Sequence, residues 1–274
     1  MTGLSFHYGT GAVTEIERPH STGWRVLPQA VTAQVLRGTA RLEIEGRKPI
    51  LVRAGEAFFV APNVRHCSTL ITPGVAVSRW STFDYQVTGS ISVFSLLDIA
   101  PLFRKQAATR IGEINARLAE VSHASDLRAL IQREALSAKL LATLAAQGRQ
   151  KPAAAALLNP DSRVTGVLQL IEKELGGDLS RGRLARAAHL SPSRFHSVFT
   201  RVMGESPGEY VLRLRLQRAQ QWLIGTDLAV NEIARRCGYP DPFHFSRLFK
   251  QRFGASPREY RKSGRESLFR GSNR

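Results

Sequence analysis

The chain has 274 residues, which is enough for two domains that each bury a hydrophobic core. Hydrophobic residues make up 43% of it, and no apolar run approaches the roughly 18 residues that a membrane-spanning helix needs, so no membrane segment is predicted. The 39 Lys and Arg residues against 22 Asp and Glu leave a net charge of +17, which favours a polyanionic partner.

The first twenty residues and the cysteines bear on the cellular compartment. The N-terminus lacks the basic stretch and apolar core that mark a secretory signal, so a cytoplasmic location is expected. Cys67 and Cys237 lie far apart in sequence and in different predicted domains. Neither a disulfide framework nor a cysteine-based metal site is therefore expected, and both residues are interpreted as buried reduced thiols.

Short strand-like segments dominate the sequence from about residue 12 to about residue 87. Segments such as ARLEIE, PILVRA and EAFFVAP are separated by turns that contain glycine. These turns are Arg37-Gly38, Glu45-Gly46, Ala54-Gly55 and Pro73-Gly74. Closely spaced short strands with such turns predict an antiparallel barrel or sandwich.

The periodicity changes after about residue 100. Apolar residues from Ile111 to Val121 recur at three- and four-residue steps, and residues 126–147 are rich in strong helix formers, so two amphipathic helices are predicted. Their apolar stripes can pack against the strands or form a dimer seam. The next stretch, residues 148–161, holds two prolines and a run of small residues and is predicted to link two domains.

Beyond this linker the sequence is predicted to be helical, with sharp helix starts. Asp161 or Ser162 can cap the first helix, and Ser180 can cap the next. This part is also the more basic per residue, because positions 161–274 hold 21 basic and 11 acidic side chains, against 18 and 11 in positions 1–160.

The C-terminal part contains an internal duplication. Residues 192–210, PSRFHSVFTRVMGESPGEY, align without a gap on residues 242–260, PFHFSRLFKQRFGASPREY, with identities at eight of nineteen positions. Each copy starts with a capping residue and a proline, runs one helix to a glycine, and begins another helix with a Ser-Pro-x-Glu capping box. A short helix, LARAAHL or IARRCGY, precedes each copy. Short helix, tight turn and helix is the helix-turn-helix layout, whose second helix enters the major groove of DNA.

The second helix of each unit has an apolar face and a polar face. Phe195 and Phe199 fall on the apolar face in the first unit, which is predicted to be core. Phe245 and Phe249 do the same in the second unit. The opposite faces carry side chains that can reach base edges and phosphates. The predicted DNA-binding residues are Ser193, Arg194, His196, Ser197 and Thr200 in the first unit and Phe243, His244, Ser246, Arg247 and Lys250 in the second. Arg201 and Gln251 lie on the same polar faces.

One long helix is predicted between the two copies, from Ser206 through YVLRLRLQRAQQWLI. At 1.5 Å per residue it forms a rod of roughly 25 to 30 Å. Two recognition helices on such a rod can sit in successive major grooves, about one turn or ~34 Å apart, with some bending of the DNA.

Residues 164–262 resemble the DNA-binding domain of the AraC/XylS transcriptional regulators. The resemblance rests on LARAAHLSPSRFHSVFTRVMG, on LRLQRAQQWL and above all on IARRCGYPDPFHFSRLFKQRFGASPREYR. It implies that the base-facing positions are Ser193, His196, Ser197 and Thr200 in the first unit and Phe243, Ser246, Arg247 and Lys250 in the second. Ala229 stands where the family more often has a capping Ser or Pro, and Ser197 and Thr200 stand where it often has basic side chains.

The N-terminal part is similar to the cupin-like sensor domains that many of these regulators carry, through GTARLEIEG, LVRAGEAFFVAPNVRH and SRWSTF. Catalytic cupins supply two histidines and a glutamate to a metal from their first motif, but residues 24–45 contain no histidine and only His66 matches the second motif. A metal-free binding barrel is therefore implied. His66 is interpreted as a hydrogen-bonded pocket or core residue. The candidate residues for lining a pocket for a small effector are Trp24, Arg25, His66 and Trp80.

The sequence thus predicts an α+β chain of two domains. Its parts are a cupin-like β-barrel sensor over residues 1–100, a helical dimerisation segment over 101–147, a linker over 148–161 and a double helix-turn-helix domain over 162–274. The predicted function is effector-responsive regulation of transcription by a cytoplasmic homodimer that binds double-stranded promoter DNA, with activation as the expected mode and RNA polymerase as a further candidate partner. No enzyme activity, metal, cofactor or membrane partner is expected. Two alternatives stay open: a cupin-type enzyme fused to a DNA-targeting module, and a regulator whose barrel dimerises without binding a ligand.

Overall fold

The computed structural model describes residues 4–17, 20–87, 91–122, 126–151, 154 and 163–262. These residues form two compact units, one that ends at Lys151 and one that begins at residue 154. The N-terminal unit combines β-strands with two long helices, and the described part of the C-terminal unit is helical. The predicted α+β class with two domains is confirmed.

The N-terminal unit consists of antiparallel strands, a 3₁₀ turn at Val93–Ser95 and two helices. The strands are β1 (Leu4–Ile16), β2 (His20–Ser21), β3 (Arg25–Val26), β4 (Ala30–Arg37), β5 (Thr39–Ile44), β6 (Ile50–Arg53), β7 (Ala57–Val60), β8 (Arg65–Leu70), β9 (Ala76–Val87), β10 (Ile91–Ser92), β11 (Leu97–Ile99), β12 (Leu102–Phe103) and β13 (Gly148–Gln150). The helices are α1 (Lys105–Glu120) and α2 (Leu127–Ala145). Both amphipathic helices predicted after residue 100 are therefore confirmed.

The strands pair into two main sheets. The six-stranded sheet has the order β1-β9-β4-β7-β12, with β10 also paired to β9, and the five-stranded sheet has the order β2-β8-β5-β6, with β3 also paired to β8. Among the described strands no pairing joins the two sheets, so the predicted barrel is not closed and the arrangement is a sandwich-like pair of sheets. Strands β11 and β13 form a small separate sheet.

A hydrophobic core draws side chains from both sheets. Val31 and Phe58 of the six-stranded sheet and Leu42 and Val52 of the five-stranded sheet belong to one buried cluster, and each is at most 5% exposed. Successive side chains of a strand point to opposite faces, so the alternate residues of β4 face away from this core. The space between the sheets is therefore filled by packed aliphatic and aromatic side chains.

Helix α1 covers the outer face of the six-stranded sheet. Ile111 and Leu118 are 0% exposed and share a second buried cluster with Phe83 and Tyr85 of β9. Of the two roles open to the apolar stripe of α1, core packing is the one that the structure shows. The buried Asn115 of the same helix bonds to hydroxyl groups of β4 and β9, at 3.1 and 2.6 Å.

Two short strands lie beyond residue 100, in segments predicted to be helical or to link the domains. Strand β12 follows residue 100 and pairs with β7, and β13 occupies the first three residues of the predicted linker. Strand β13 is bonded along its backbone to β11, and its sequence, Gly-Arg-Gln, has no apolar alternation that could have indicated a strand. Most of the remaining linker, 152–153 and 155–162, lies outside the described residues.

The C-terminal unit is a succession of short helices around one longer helix. They are α3 (Arg163–Lys173), α4 (Arg181–Ala187), α5 (Pro192–Met203), α6 (Pro207–Gly225), α7 (Val230–Arg236) and α8 (Pro242–Phe253), followed by helical residues 257–262. The predicted helical character and the predicted long helix between the two copies are both confirmed. Within the described ranges, no helix is long and apolar enough to cross a membrane.

Candidate nucleic-acid interface

Helices α5 and α8 are copies of one structural unit. Both contain 12 residues, and they start fifty positions apart, at Pro192 and Pro242. Each ends at a glycine in the left-handed conformation, Gly204 with φ of 77° and Gly254 with φ of 78°. The duplication seen in the sequence is therefore a duplication of structure.

The starts of the two copies are capped as predicted. Ser191 Oγ accepts a hydrogen bond from the backbone N–H of Arg194 at 3.3 Å. Asp241 Oδ1 accepts one from the backbone N–H of Phe243 at 2.8 Å. These bonds satisfy N–H groups that have no partner inside the helix, and the following prolines fit the first helical position.

A reciprocal capping box follows each copy. In the first box, the Glu209 carboxylate accepts from the backbone N–H of Ser206 at 2.9 Å, and the Glu209 N–H donates to Ser206 Oγ at 3.3 Å. Ser256 and Glu259 make the same pair of bonds at 2.7 and 3.3 Å. The bonds from Ser206 and Ser256 hold the pKa of each glutamate below its usual range. These boxes start α6 and the helical residues 257–262, as the sequence indicated.

A tight turn joins α4 to α5 and α7 to α8 in the same way. His189 adopts a φ of 53° in the first turn, and Gly238 adopts a φ of 80° in the second. The residue after each donates its backbone N–H to a carbonyl of the short helix, at 3.0 Å in the first turn and 2.9 Å in the second. In each turn one left-handed residue ends the short helix, and the next helix begins within a few residues. Each pair of helices with its turn is therefore a helix-turn-helix unit.

The apolar faces of α5 and α8 are buried. Phe195, Phe199, Phe245 and Phe249 are all 0% exposed, as the sequence predicted for core positions. Phe245 and Phe249 pack in one cluster with side chains of α6 and α7. This packing fixes the rotation of each helix about its own axis, so the opposite face of each is the one that a partner can reach.

The second unit presents a long, partly cationic face. Phe243, Arg247 and Lys250 are exposed and follow one another at steps of four and three residues, which places them in one stripe. His244 is also exposed, while Ser246 is half-buried and donates its hydroxyl to the Pro242 carbonyl at 2.8 Å. Among the described residues, Arg247 has no hydrogen-bond or ion-pair partner. Its guanidinium is therefore free to bind an external acceptor.

The first unit presents a shorter and more neutral face. Ser193, Arg194 and Ser197 are exposed, and His196 is half-buried. Ser197 donates its hydroxyl to the Ser193 carbonyl at 3.2 Å, and the Thr200 hydroxyl oxygen is buried with no hydrogen-bond partner among the described residues. The Thr200 hydroxyl thus faces the protein in this structure, whereas the predicted role in base contact needs it at the surface. Arg201 and Gln251, the other members of the two polar faces, are exposed.

Arg215 of α6 was not singled out from the sequence, although it bridges several helices. Its Nε donates to the Leu175 carbonyl at 2.8 Å, and one Nη donates to the Gly177 carbonyl at 2.6 Å. The other Nη donates to the Gly238 carbonyl at 3.3 Å, and the guanidinium lies 5.7 Å from the ring centre of Tyr239. This side chain therefore joins the end of α3 to the turn of the second helix-turn-helix unit. Its only sequence signal is an arginine inside the apolar run LRLRL.

Two of the predicted effector residues lie together in the N-terminal unit. Arg25 of β3 and His66 of β8 are register partners, and Arg25 Nε donates to His66 Nε2 at 3.4 Å. Trp24 is 48% exposed, and the Arg65 guanidinium lies 5.0 Å from its ring centre. This end of the five-stranded sheet therefore presents an exposed indole among cationic side chains.

Trp80, the fourth predicted effector residue, lies in the other sheet. It belongs to β9, donates its indole N–H to Thr14 Oγ1 at 2.8 Å, and packs partly buried against the core between the sheets. The structure thus groups Arg25 with His66 and places Trp80 on the opposite layer.

His66 is a buried, hydrogen-bonded residue, as the sequence interpretation proposed. It is 2% exposed, and its Nδ1 bonds to the Val64 carbonyl at 2.9 Å. Burial, opposed in part by this bond and reinforced by the charge of Arg25, lowers the pKa of His66 to about 4. No group of three or more His, Cys, Asp or Glu in the described part of the chain is arranged to hold a metal ion.

Both cysteines are buried and free, which confirms the prediction of reduced thiols. Cys237 lies in the core of the second helix-turn-helix unit, and burial raises the pKa of its thiol to about 12. A thiol that is neutral and inaccessible is a packing residue rather than a nucleophile.

Comparison with known proteins agrees with this geometry. A helix-turn-helix domain family matches residues 184–263, which contain most of both units. The transcriptional activator RhaS of Escherichia fergusonii is 33% identical over 159 residues, which are 58% of this chain and 56% of RhaS. RhaS of Klebsiella pneumoniae is 31% identical over 159 residues, 58% of this chain and 55% of that protein.

The C-terminal unit is thus a helix-turn-helix domain of the kind that binds DNA. Residues 184–263 match this helix-turn-helix family, and the chain is similar to the transcriptional activator RhaS, in agreement with the resemblance to the AraC/XylS regulators. It spans little more than half the length of the curated relatives that it matches.

The fold of the whole chain is similar to that of ToxT from Vibrio cholerae. The TM-score is 0.57 over 94% of this chain and 98% of ToxT, at 10% sequence identity. At this sequence identity the likeness concerns the fold alone.

Proposed function

We propose that this protein is a sequence-specific regulator of transcription that binds double-stranded promoter DNA with α5 and α8. The observation that supports this most is the duplicated unit, in which two helices with capped starts and buried phenylalanines each leave one face exposed. Helix α6 has 19 residues, or about 28 Å at 1.5 Å per residue, which is close to one turn of DNA. One protomer can then engage two successive major grooves.

The two helix-turn-helix units are proposed to make different kinds of contact with DNA. Arg247 is exposed and free of partners among the described residues, and a guanidinium binds the O6 and N7 atoms of guanine with two hydrogen bonds. Lys250, one turn further along the same stripe, is suited to a phosphate. The hydroxyl groups of Ser193 and Ser197 offer shorter and less selective contacts, so the second unit supplies most of the sequence preference.

Selection of binding sites from a random duplex pool tests this function. The full chain should enrich one sequence, and Arg247→Ala should weaken binding to it by about 1–3 kcal/mol and relax the preference at one base pair. The matched control is Arg252→Ala, which removes the same charge from an exposed position about 140° around α8. Enrichment of no sequence, or equal losses in the two variants, would contradict the proposal.

The proposed mode of regulation is activation through contact with RNA polymerase. RhaS, the relative with 33% identity, is a transcriptional activator. A reporter placed behind the selected sequence should give more transcript when the protein is present, and Arg247→Ala should remove the increase. A fall in transcript on adding the protein would make it a repressor.

The proposed role of the N-terminal unit is to bind a small effector near Trp24, Arg25 and His66, with Trp80 stabilising the sheet behind them. The exposed indole of Trp24 and the cationic side chains around it support this location. A solved structure of the fold relative ToxT contains an unsaturated fatty acid. In this proposal residues 1–100 sense the effector, 148–161 link the units and 162–274 bind DNA in the cytoplasm, with no catalytic step, metal or cofactor.

The effector proposal is tested by measuring affinity for the selected duplex with and without a small-molecule extract of cells. A change in affinity that Trp24→Ala and Arg25→Ala abolish supports the location. Leu51→Ala, at another exposed apolar position of the same sheet, should retain the response. Absence of any response in the wild type would favour a regulator that binds no ligand.

The proposed dimer contact is the outer face of α2. Leu127, Leu130 and Ile131 are 70%, 47% and 58% exposed, whereas the apolar stripe of α1 is buried. Ile131→Glu should shift the protein from dimer to monomer in sedimentation equilibrium, and Leu51→Glu in β6 should not. A wild type that is monomeric at all concentrations would exclude this contact.

A further inference from the structure

Phe243 is a large aromatic side chain held in solvent at the start of α8. It is 83% exposed, the highest value among the exposed large hydrophobic residues of the described chain. Its own backbone N–H is fixed by the Asp241 cap at 2.8 Å, so its place on the helix is well defined. It heads the stripe that continues with Arg247 and Lys250 at steps of four and three residues.

The fold of the unit does not require an aromatic ring at this position. The equivalent residue of α5, fifty positions earlier, is Ser193, and α5 has the same length, a capped start and the same pair of buried phenylalanines. Single exposed hydrophobic residues are common on protein surfaces. Phe243 differs because it lies in line with two cations on the face that the proposed function directs at DNA.

The chemistry of the major groove offers one apolar partner for such a ring. Residues at the N-terminal end of a recognition helix reach the base edges. Of the groups that the four bases present there, the 5-methyl group of thymine is the apolar one, and phenylalanine is among the side chains that contact it. We infer that Phe243 is a specificity-determining residue that selects thymine through its methyl group, at a base pair next to the one that Arg247 contacts. This inference rests on the proposed function.

Single replacement of thymine by deoxyuridine tests this assignment, because it removes the methyl group and keeps every hydrogen-bonding group of the base. The full chain is first used to select its preferred duplex from a random pool. Each thymine of that duplex is then replaced in turn, and the Kd is measured for the wild type, for Phe243→Ala and for the control Arg252→Ala, at an exposed position outside the stripe. Because the Phe243 side chain is exposed to solvent, its replacement by alanine is expected to leave the fold intact.

One deoxyuridine should weaken wild-type binding about fourfold, the value that corresponds to ~0.8 kcal/mol for one methyl group. Arg252→Ala should show the same fourfold effect, and Phe243→Ala should bind the thymine and deoxyuridine duplexes equally. A fourfold effect that persists in Phe243→Ala would assign the methyl contact to another residue, and no effect at any thymine would exclude such a contact. Failure to select any duplex would instead overturn the proposed function itself, together with this inference.

Discussion

Arg215 and Gly238 meet inside the turn of the second helix-turn-helix unit, where the Arg215 guanidinium donates to the Gly238 carbonyl at 3.3 Å. The same guanidinium also donates to the carbonyls of Leu175 and Gly177, beyond the end of α3. Hydrogen bonds from a charged donor are stronger than neutral ones, and a rigid planar fork can hold several acceptors at once. Arg215 therefore fixes the turn of the second unit relative to α3 and α6.

Replacing Arg215 by methionine should loosen this junction. The change keeps an unbranched apolar stem but removes the guanidinium, which leaves three carbonyl groups without their donor. The expected loss is about 2 kcal/mol, because the site is partly exposed. Hydrogen exchange of backbone amides in α3 and α7 should become faster. The control Arg218→Met, on an exposed position of the same helix, should leave these rates nearly unchanged. Equal exchange in Arg215→Met and the wild type would show that the junction is held by other contacts.

Gly238 and Gly254 form a matched pair for testing how closely Arg215 packs on the turn. Both have a positive φ, 80° and 78°, so alanine is strained at each by about 1 kcal/mol. A Cβ at Gly238 would lie 2.6 Å from Arg215 Cζ, while nothing lies within 4 Å of a Cβ at Gly254. Gly238→Ala should therefore cost about 1–3 kcal/mol more than Gly254→Ala in urea unfolding. Similar costs would mean that Arg215 can move aside freely.

Gly112 and Gly166 should respond to alanine with opposite signs. Gly112 lies where α1 crosses β4, and a Cβ there would overlap the amide group of Gln34, which is 5% exposed and has little room to move. Gly112→Ala should destabilise the N-terminal unit by about 1–3 kcal/mol. Gly166 in α3 has no atom within 4 Å of a Cβ, so Gly166→Ala should stabilise its unit by about 0.5–1 kcal/mol through helix propensity. Hydrogen exchange of the backbone amides in each unit measures both changes in stability. A Gly112→Ala variant as stable as the wild type would argue against the packing of Gln34 on α1.

His66 should make the N-terminal unit less stable in acid. Its pKa is about 4 in the folded state, below the usual value near 6.5 that applies to the unfolded chain. The unfolded state therefore binds a proton first as the pH falls, so stability is full above about pH 6.5 and is lost progressively down to about pH 4. The total loss is about 3 kcal/mol.

Urea midpoints measured between pH 7.5 and pH 4.5 test this dependence. His66→Gln should remove much of the fall in midpoint, because glutamine does not titrate. The exposed His244→Gln should retain it. An equally steep fall in His66→Gln would assign the acid sensitivity to other groups.

The helices and turns of the C-terminal unit could be predicted from local features of the sequence. The eight identities of the repeat, the Ser-Pro and Asp-Pro starts and the terminal glycines are short-range features, and each specifies a cap or a turn. The phenylalanines at steps of four residues fixed which face of each recognition helix is buried. The resemblance to the AraC/XylS regulators rests on the same segment, so the candidate interface could be located from the sequence alone.

Contacts and strand pairings between distant parts of the chain could not be predicted in this way. The donors and acceptors of Arg215 are up to 40 residues apart in sequence, and no local pattern predicts their meeting. The separation of Trp80 from His66 depends on which strand joins which sheet, and strand β13 depends on its pairing with β11, whose residues precede it by 49 to 53 positions. The inward Thr200 hydroxyl reflects a side-chain rotamer, which helical periodicity does not determine.

Binding of DNA by two recognition helices is tested most directly by a hydroxyl-radical footprint of the full chain on its selected duplex. The footprint is repeated with Arg247→Ala and at several salt concentrations. Two protected windows about one helical turn apart are expected, with the window contacted by α8 weakened in the variant and the other retained. A single window, or protection that follows salt concentration without a preferred position, would contradict binding by two recognition helices.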